Sequence, residues 1–61
     1  MIDLPTKYLL RPDEVANFLN VSRSTIYFWC KNGFLKFCKL NHTIRIFRKS
    51  VLEYYRKNTR I

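Results

Sequence analysis

The chain has 61 residues, of which 48% are hydrophobic and 16% aromatic, and it carries a formal net charge of +8. A chain this short buries only about 60% of its unfolded surface, which excludes a second domain, and its apolar content excludes a disordered chain. Asp3, Pro5 and Lys7 interrupt the apolar run that a signal peptide needs, and no stretch approaches the ~20 apolar residues of a membrane span. We therefore expect one domain, residues 1–61, in a cytoplasmic protein without a membrane partner.

Basic residues are concentrated in the second half of the chain. Residues 1–33 hold four basic and three acidic side chains, whereas residues 34–61 hold eight basic side chains and one acidic one. A concentrated positive charge is typical of proteins that bind polyanions, above all nucleic acids. The alternative is a solvated basic surface with no ligand, and the uneven distribution favours the polyanion.

The cysteines do not match a metal site. Cys30 and Cys38, with His42 beyond them, fit none of the usual zinc spacings and supply too few ligands for a closed tetrahedral site. We expect both cysteines to be small hydrophobic residues in a reducing compartment, and we expect no metal, cofactor or small-molecule effector. The sequence offers no catalytic carboxylate pair, no nucleophile with an orienting base and no glycine-rich phosphate loop, so an enzymatic role is not expected.

The chain is predicted to begin with an arm and a helix. Residues 1–9 are expected to be extended, with a loose outer part as far as residue 7. A first helix is predicted over residues 12–19, where apolar residues recur with helical spacing. Arg11 occupies its N-cap position, where Ser, Thr or Asp would be more favourable by about 1 kcal/mol. Asn20 follows the last apolar position and tolerates the left-handed conformation that ends a helix.

A second helix is predicted from Ser22, a favourable N-cap residue, to about Asn32, with Gly33 as its C-terminal stop. The short connection between the two helices is typical of a helix-turn-helix. The inward stripe of the second helix consists of Ile26, Trp29 and Cys30. The residues on its other faces are Arg23, Ser24, Tyr27, Phe28 and Lys31.

Residues 35–40 and 43–47 change to the alternating pattern of two β-strands, with Asn41 and His42 as a two-residue turn. His42 is a poorer second turn residue than glycine. The alternation is interpreted as two faces, one with Cys38, Leu40, Ile44 and Ile46 and the other with Lys39, Thr43 and Arg45. This hairpin is the candidate wing of the fold.

A last helix is predicted over about residues 48–58, and both Phe47 and Ser50 are possible boundaries at its start. Its packing stripe is Val51, Tyr54 and Tyr55, and its outer residues are Arg48, Lys49, Arg56 and Lys57. The predicted fold is therefore mainly α with a small β-hairpin, an α+β winged helix-turn-helix in the order arm, helix, turn, helix, hairpin wing, helix.

A resemblance to a known family is carried by two stretches, LRPDEVANFLNVSRSTIYFWCKNGFL and KLNHTIRIFRKSVLEYY. They resemble the excisionase-like branch of the MerR-type winged-helix family, which occurs in small proteins of phages and mobile elements. The resemblance covers residues 8–57 and is most specific in EVANFLNVSRSTIYFW. The chain departs from the family at Asn20, where the turn customarily has glycine, at Asn41–His42, where the wing tip is customarily glycine-rich, and at Phe28, where a basic residue is frequent.

The resemblance implies binding of double-stranded DNA, and it assigns candidate contacts together with the side-chain chemistry. The candidates for base readout are Arg23, Ser24, Tyr27 and Phe28. The candidates for contacts with the DNA backbone or from the wing are Ser22, Thr25, Lys31, Lys36, Lys39, Asn41, His42, Thr43, Arg45, Arg48 and Lys49. The cluster expected to contact phosphates consists of Lys36, Lys39, Arg45, Arg48 and Lys49. An arginine near a helix start can hold guanine O6 and N7 with two hydrogen bonds, and phenylalanine can contact the methyl group of thymine.

Each assignment has an alternative. Arg23 can contact a phosphate without reading sequence, Phe28 can pack in the core or against a protein partner, and His42 can be solvated. Lysines on the hairpin can serve to prevent strand pairing between molecules. The hydroxyls at the start of the second helix can have a purely helix-capping role.

Four functions remain open at this point. The first is an excisionase-type protein, for which the resemblance implies bending of attachment-site DNA and recruitment of a recombinase or integrase. The second is a minimal transcription regulator, and the third is a protein-interaction module that uses the Tyr27/Phe28 face. The fourth is single-stranded RNA binding. Because one helix reads only a few base pairs, a second copy of the chain is an expected partner on DNA, and nucleoid association is the expected location.

Overall fold

Residues 4–58 are described by the computed structural model, and they form three helices and one three-stranded antiparallel sheet. In chain order the elements are β1 (Leu9–Leu10), α1 (Pro12–Leu19), α2 (Arg23–Lys31), β2 (Phe37–Leu40), β3 (Thr43–Phe47) and α3 (Arg48–Asn58). This order confirms the predicted α+β fold, in which a helix-turn-helix is followed by a hairpin wing and a third helix. No helix in this part of the chain is long and apolar enough to cross a membrane.

Helix α1 has a partial cap at its start and a left-handed residue at its end. The Arg11 side chain has no hydrogen-bond acceptor and makes no cap, but the Arg11 backbone N–H donates to Glu14 Oε1 at 2.8 Å. Half of a capping box therefore forms, which offsets part of the predicted cost at Arg11. Asn20 has φ 60° and ψ 47°, and the N–H of Val21 donates to the carbonyl oxygen of Ala16 at 3.0 Å. The predicted role of Asn20 is confirmed.

Helix α2 follows after three residues and has favourable signals at both ends. Ser22 Oγ accepts a hydrogen bond from the Thr25 N–H at 3.3 Å, as an N-cap residue does. The helix ends one residue before Asn32, and Gly33 follows with φ 83°, a conformation that glycine adopts without strain. The Gly33 N–H donates to the carbonyl oxygen of Cys30 at 3.2 Å. The predicted turn and stop are confirmed.

Strand β3 lies in the middle of the sheet, between β1 and β2. In β1, Leu9 pairs with Phe47 and Leu10 pairs with Ile46. The sequence analysis did not predict β1 as a strand, because two residues are too few to show an alternating pattern. The sheet therefore has one strand more than the predicted hairpin.

The arm before β1 is not loose where the structure describes it. Leu4 is buried in the core, and Arg48 Nε donates to the carbonyl oxygen of Pro5 at 2.7 Å. The expectation of a loose segment over residues 1–7 is thus wrong for Leu4 and Pro5. Residues 1–3 of that segment lie outside the described residues, as do residues 59–61.

The two faces of the wing differ from the predicted ones. The pairs across the hairpin are Phe37 with Ile46, Cys38 with Arg45, Lys39 with Ile44 and Leu40 with Thr43. Residues that pair directly lie on the same face of the sheet, so Cys38 shares a face with Arg45, and Lys39 shares a face with Ile44. The predicted grouping is wrong because a two-residue turn always places an even-numbered residue opposite an odd-numbered one. Alternation counted along the sequence does not continue across such a turn.

The core lies where the helices meet the inner face of the sheet. Its buried members are Leu4, Leu10, Val15, Ala16, Ile26, Cys30, Leu35, Ile46 and Val51. Trp29, which was predicted to lie in the core, is half-buried and packs on Tyr54 with ring centroids 5.0 Å apart. Tyr55 meets Phe18 at 5.2 Å. This packing confirms the inward stripes of α2 and α3, and it leaves the outer face of α2 free.

Candidate nucleic-acid interface

The outward face of α2 is exposed along its length. Its exposed residues are Arg23, Ser24, Tyr27, Phe28 and Lys31, which include all four candidates for base readout. Tyr27 leaves 45% of its surface exposed and Phe28 leaves 59% exposed, although both are large aromatic residues. Exposed aromatic side chains on one face of a helix indicate a surface that meets a partner.

A groove separates the start of α2 from the wing. Its lining residues are Arg11, Pro12, Asp13, Arg23, Tyr27, Lys39, His42, Thr43, Ile44 and Arg45. The structure therefore brings two candidates for base readout, Arg23 and Tyr27, together with four candidates from the wing. Four of the lining residues are basic and one is acidic, so the groove carries a positive charge that suits a polyanion.

Arg11 is a residue of this groove that the sequence analysis missed. It was considered only as a poor cap, but its side chain is 60% exposed and its Nε lies 3.5 Å from Asp13 Oδ1. In helix-turn-helix proteins the first helix crosses the DNA backbone, so a cation at its N-terminus is positioned to meet a phosphate. The available signal was a basic residue at an N-cap position, where it lowers helix stability by about 1 kcal/mol and so points to another use.

The hydroxyl groups at the start of α2 contact one another. Ser22 Oγ lies 3.0 Å from Thr25 Oγ1 and 3.2 Å from Ser24 Oγ, in addition to its bond with the Thr25 backbone. Ser22 and Thr25, two candidates for phosphate contacts, thus take part in the helix cap. Ser24 is exposed beside Arg23, in a position that suits contact with a ligand.

The tip of the wing is a tight two-residue turn. Asn41 has φ 60°, whereas His42 is not among the described residues with a positive φ. The first turn position, and not the second, is therefore the one at which glycine would fit best, as in a type II′ turn. The expectation that His42 is the poor turn residue is wrong. Thr43 Oγ1 donates to the carbonyl oxygen of Leu40 at 2.8 Å, and Asn41, His42 and Thr43 are all exposed.

The basic residues that were expected to grip phosphates together are divided among three places. They are Lys36, Lys39, Arg45, Arg48 and Lys49. Lys39 and Arg45 line the groove beside α2. Lys36 and Lys49 line a separate depression against α3, and Arg48 donates to the backbone of the arm. The expectation of one phosphate-binding cluster is wrong. Lys36, just before β2, and Lys39, within it, are three residues apart, and residues of an extended chain at an odd spacing face opposite sides.

Two groups within residues 4–58 have shifted pKa values. The pKa of Glu14 lies below its ordinary value because the Arg11 backbone N–H donates to the carboxylate, and the Lys7 ammonium group 2.8 Å away adds to the effect. Burial raises the pKa of the Cys30 thiol, which keeps it protonated and unreactive. Cys30 is thus a core residue, as predicted, and Cys38 is half-buried. Within residues 4–58 no three His, Cys, Asp or Glu side chains are grouped so that they could hold a metal ion.

A family model described as a helix-turn-helix domain matches residues 9–59, a range that includes every element from β1 to α3. This chain belongs to the helix-turn-helix domain family. The match confirms the resemblance to a family of DNA-binding domains, and it agrees with the geometry of α1, the turn and α2. Comparison of this helix-turn-helix protein with curated proteins and with solved structures finds no match.

Proposed function

We propose that this helix-turn-helix domain binds double-stranded DNA with sequence preference, with α2 in the major groove and the wing on the backbone or in the minor groove. The observation that carries the proposal is the groove in which Arg23 and Tyr27 of α2 lie beside Lys39 and Arg45 of the wing. The major groove of B-DNA, about 12 Å wide, admits one α-helix. Cations next to such a helix lie where the phosphates of the groove edges pass.

The proposed contacts divide into readout and grip. Arg23, the first residue of α2, reads guanine, while Phe28 further along the exposed face meets a thymine methyl group. Ser24 and Tyr27 complete the readout face. The residues that grip phosphates are Arg11, Lys39 and Arg45, with support from Ser22, Thr25, Lys31 and the wing tip at Asn41, His42 and Thr43. The protein is a single non-enzymatic domain in this proposal.

In the cell we propose an excisionase-type role, in which the protein bends attachment-site DNA and recruits a recombinase or integrase. The sequence resemblance supports this role, and the family match supports DNA binding in general. A minimal transcription regulator is the alternative on the same fold. Both roles place the protein in the cytoplasm, on the nucleoid, and both are served by a second copy on adjacent DNA.

A protein-interaction module is the second candidate function. The observation that favours it is the 59% exposure of Phe28 at the middle of the α2 face, where the helix-turn-helix family resemblance leads one to expect a basic residue. In this hypothesis the Tyr27/Phe28 face binds another protein and the basic charge serves solubility. It predicts weak DNA binding without sequence preference.

The deciding experiment is selection of bound sequences from a randomised duplex library with the purified chain, at a low and a high salt concentration. An enriched motif that persists at the higher salt is expected, because contacts with base edges depend less on salt than contacts with phosphates do. The spacing of the motif also shows whether one or two copies bind. Absence of enrichment at both salt concentrations would refute sequence-specific recognition and support the protein-interaction hypothesis.

A further inference from the structure

A second concave surface lies against α3, away from the groove beside α2. Two adjoining depressions, of about 630 and 300 Å³, share Lys36, Ser50 and Glu53 as lining residues, and we name their union the α3 groove. Tyr8 lies at one end of it and Phe34 at the other. Volumes of this size accommodate several side chains of a ligand. None of its lining residues belongs to the groove between α2 and the wing.

Two lining residues of the α3 groove are joined by a part-buried hydrogen bond. Ser50 is only 8% exposed, and its Oγ accepts the backbone N–H of Lys36 at 2.8 Å. This bond ties the chain before β2 to α3. The groove is therefore formed before any ligand arrives, which lowers the entropic cost of binding.

Aromatic rings stand at both ends of the α3 groove. Tyr8 is 72% exposed and meets Phe47 edge to face, with ring centroids 5.6 Å apart. Phe34 is 53% exposed and lies 6.3 Å from the ring of Tyr54. These rings contribute little to the core, so much of their apolar surface remains in contact with water. Such a surface favours a ligand with apolar side chains.

The α3 groove carries a net positive charge along its length. Lys36, Lys49 and Lys57 line it, and Glu53 is its only carboxylate among the described residues. The ion pairs within residues 4–58 are Lys7–Glu14 and Arg11–Asp13, so these three lysines have no carboxylate partner there. The groove thus offers unpaired cations as well as apolar rings.

We propose that the α3 groove binds a short acidic segment of another protein, one that carries apolar side chains among its carboxylates. Such a segment places carboxylates on the lysines and apolar side chains on Tyr8 and Phe34. Duplex DNA fits this surface less well, because its phosphates would leave the exposed apolar rings of Tyr8 and Phe34 without a partner. The α3 groove shares no lining residue with the groove beside α2, so this binding does not depend on DNA binding by α2.

The test uses fluorescein-labelled peptides and the full chain, with anisotropy as the measurement. The probe is Asp-Asp-Phe-Asp-Asp-Leu, with an uncharged control, Asn-Asn-Phe-Asn-Asn-Leu, and a control without apolar side chains, Asp-Asp-Ser-Asp-Asp-Ser. Lys36→Gln with Lys57→Gln should weaken binding of the probe by about ten-fold, the effect of two exposed ion pairs. Lys39→Gln with Arg45→Gln removes the same charge from the other groove and should change binding less than about two-fold.

Phe34→Ala separates apolar binding from charge, and the exposure of Phe34 means that the core remains intact. This variant should bind the probe more weakly than the wild-type chain does, and it should bind the control peptide without apolar side chains as well as the wild-type chain does. Equal losses in the two charge variants, or no binding of the probe by the wild-type chain, would overturn the proposal. A loss of duplex DNA affinity in the Lys36→Gln, Lys57→Gln variant as large as in the Lys39→Gln, Arg45→Gln variant would show a second DNA surface and overturn it as well.

Discussion

Replacing Lys39 and Arg45 together by glutamine should weaken DNA binding and also make it less dependent on salt. Both residues line the groove beside α2, where the proposed duplex runs, and they approach it from opposite faces of the hairpin. Glutamine keeps much of each side chain's length while removing its charge. Each phosphate that a protein neutralises contributes about 0.9 to the slope of log affinity against log salt concentration. Two lost contacts should therefore lower the magnitude of that slope by about 1.8.

This change in slope is large enough to measure. When the salt concentration rises from about 50 to about 200 mM, the fold-loss of affinity should be about ten times larger for the wild-type chain than for the double variant. The assay is fluorescence anisotropy with a labelled duplex at four or five salt concentrations. The matched control is Lys36→Gln with Lys49→Gln, which removes the same charge from the α3 groove. If both variants lower the slope equally, net charge and not position governs binding, and the assignment of Lys39 and Arg45 is refuted.

Four further predictions concern single residues. Deoxyuridine in place of the contacted thymine should weaken DNA binding by the wild-type chain about four-fold, because one buried methyl group contributes about 0.8 kcal/mol. The same replacement should not change DNA binding by Phe28→Ala. If an anisotropy titration shows equal losses for both proteins, the methyl contact is excluded. Ser22→Ala should lower the free energy of unfolding in urea by about 1 kcal/mol through loss of the N-cap, and the control Ser24→Ala should not; equal losses would deny Ser22 its capping role. Because the folded pKa of Glu14 is lowered, its carboxylate stabilises the fold at pH values above its ordinary pKa of 4.5, and this stabilisation is lost as the pH falls through the folded pKa. Glu14→Gln should therefore be less stable than the wild-type chain at neutral pH, and the two should become equally stable in acid. A constant difference in the free energy of urea unfolding from about pH 7 to about pH 3 would contradict this. Asn41→Ala should be about 1 kcal/mol less stable than Asn41→Gly, because alanine is strained at φ 60°; equal thermal stability of the two would show that the turn adjusts.

The helices could be predicted because their signals are local. Ser22 and Gly33 mark the start and stop of α2 within a few residues of the chain, and Asn20 marks the end of α1 by its own backbone preference. The bounds of α3, Arg48–Asn58, agree with the predicted range of about 48–58, which rested on helical spacing alone. The exposed face of α2 followed from the bounds of α2, since helical spacing alone decides which of its residues are exposed.

The arrangement of the wing and the arm could not be predicted, because it depends on contacts between distant parts of the chain. The burial of Leu4 requires the rest of the core, and the role of Arg11 requires the wing to be folded back beside α1. Lys36 and Lys39 are three residues apart in sequence and line different grooves. Only the strand pairing decides which of these side chains are neighbours.

The pairing of Leu10 with Ile46 has a consequence for protein engineering. It joins parts of the chain that are 36 residues apart, so the helix-turn-helix lies inside a loop that closes only when β1 meets β3. Closure of such a loop has an entropic cost that the core inside it must offset, and neither helix is long enough to be stable alone. A chimera that carries residues 12–31 without both strands would contain every side chain of the recognition face but no fixed surface. If α2 enters the major groove as proposed, the smallest portable unit for DNA recognition is the closed loop and not α2 alone.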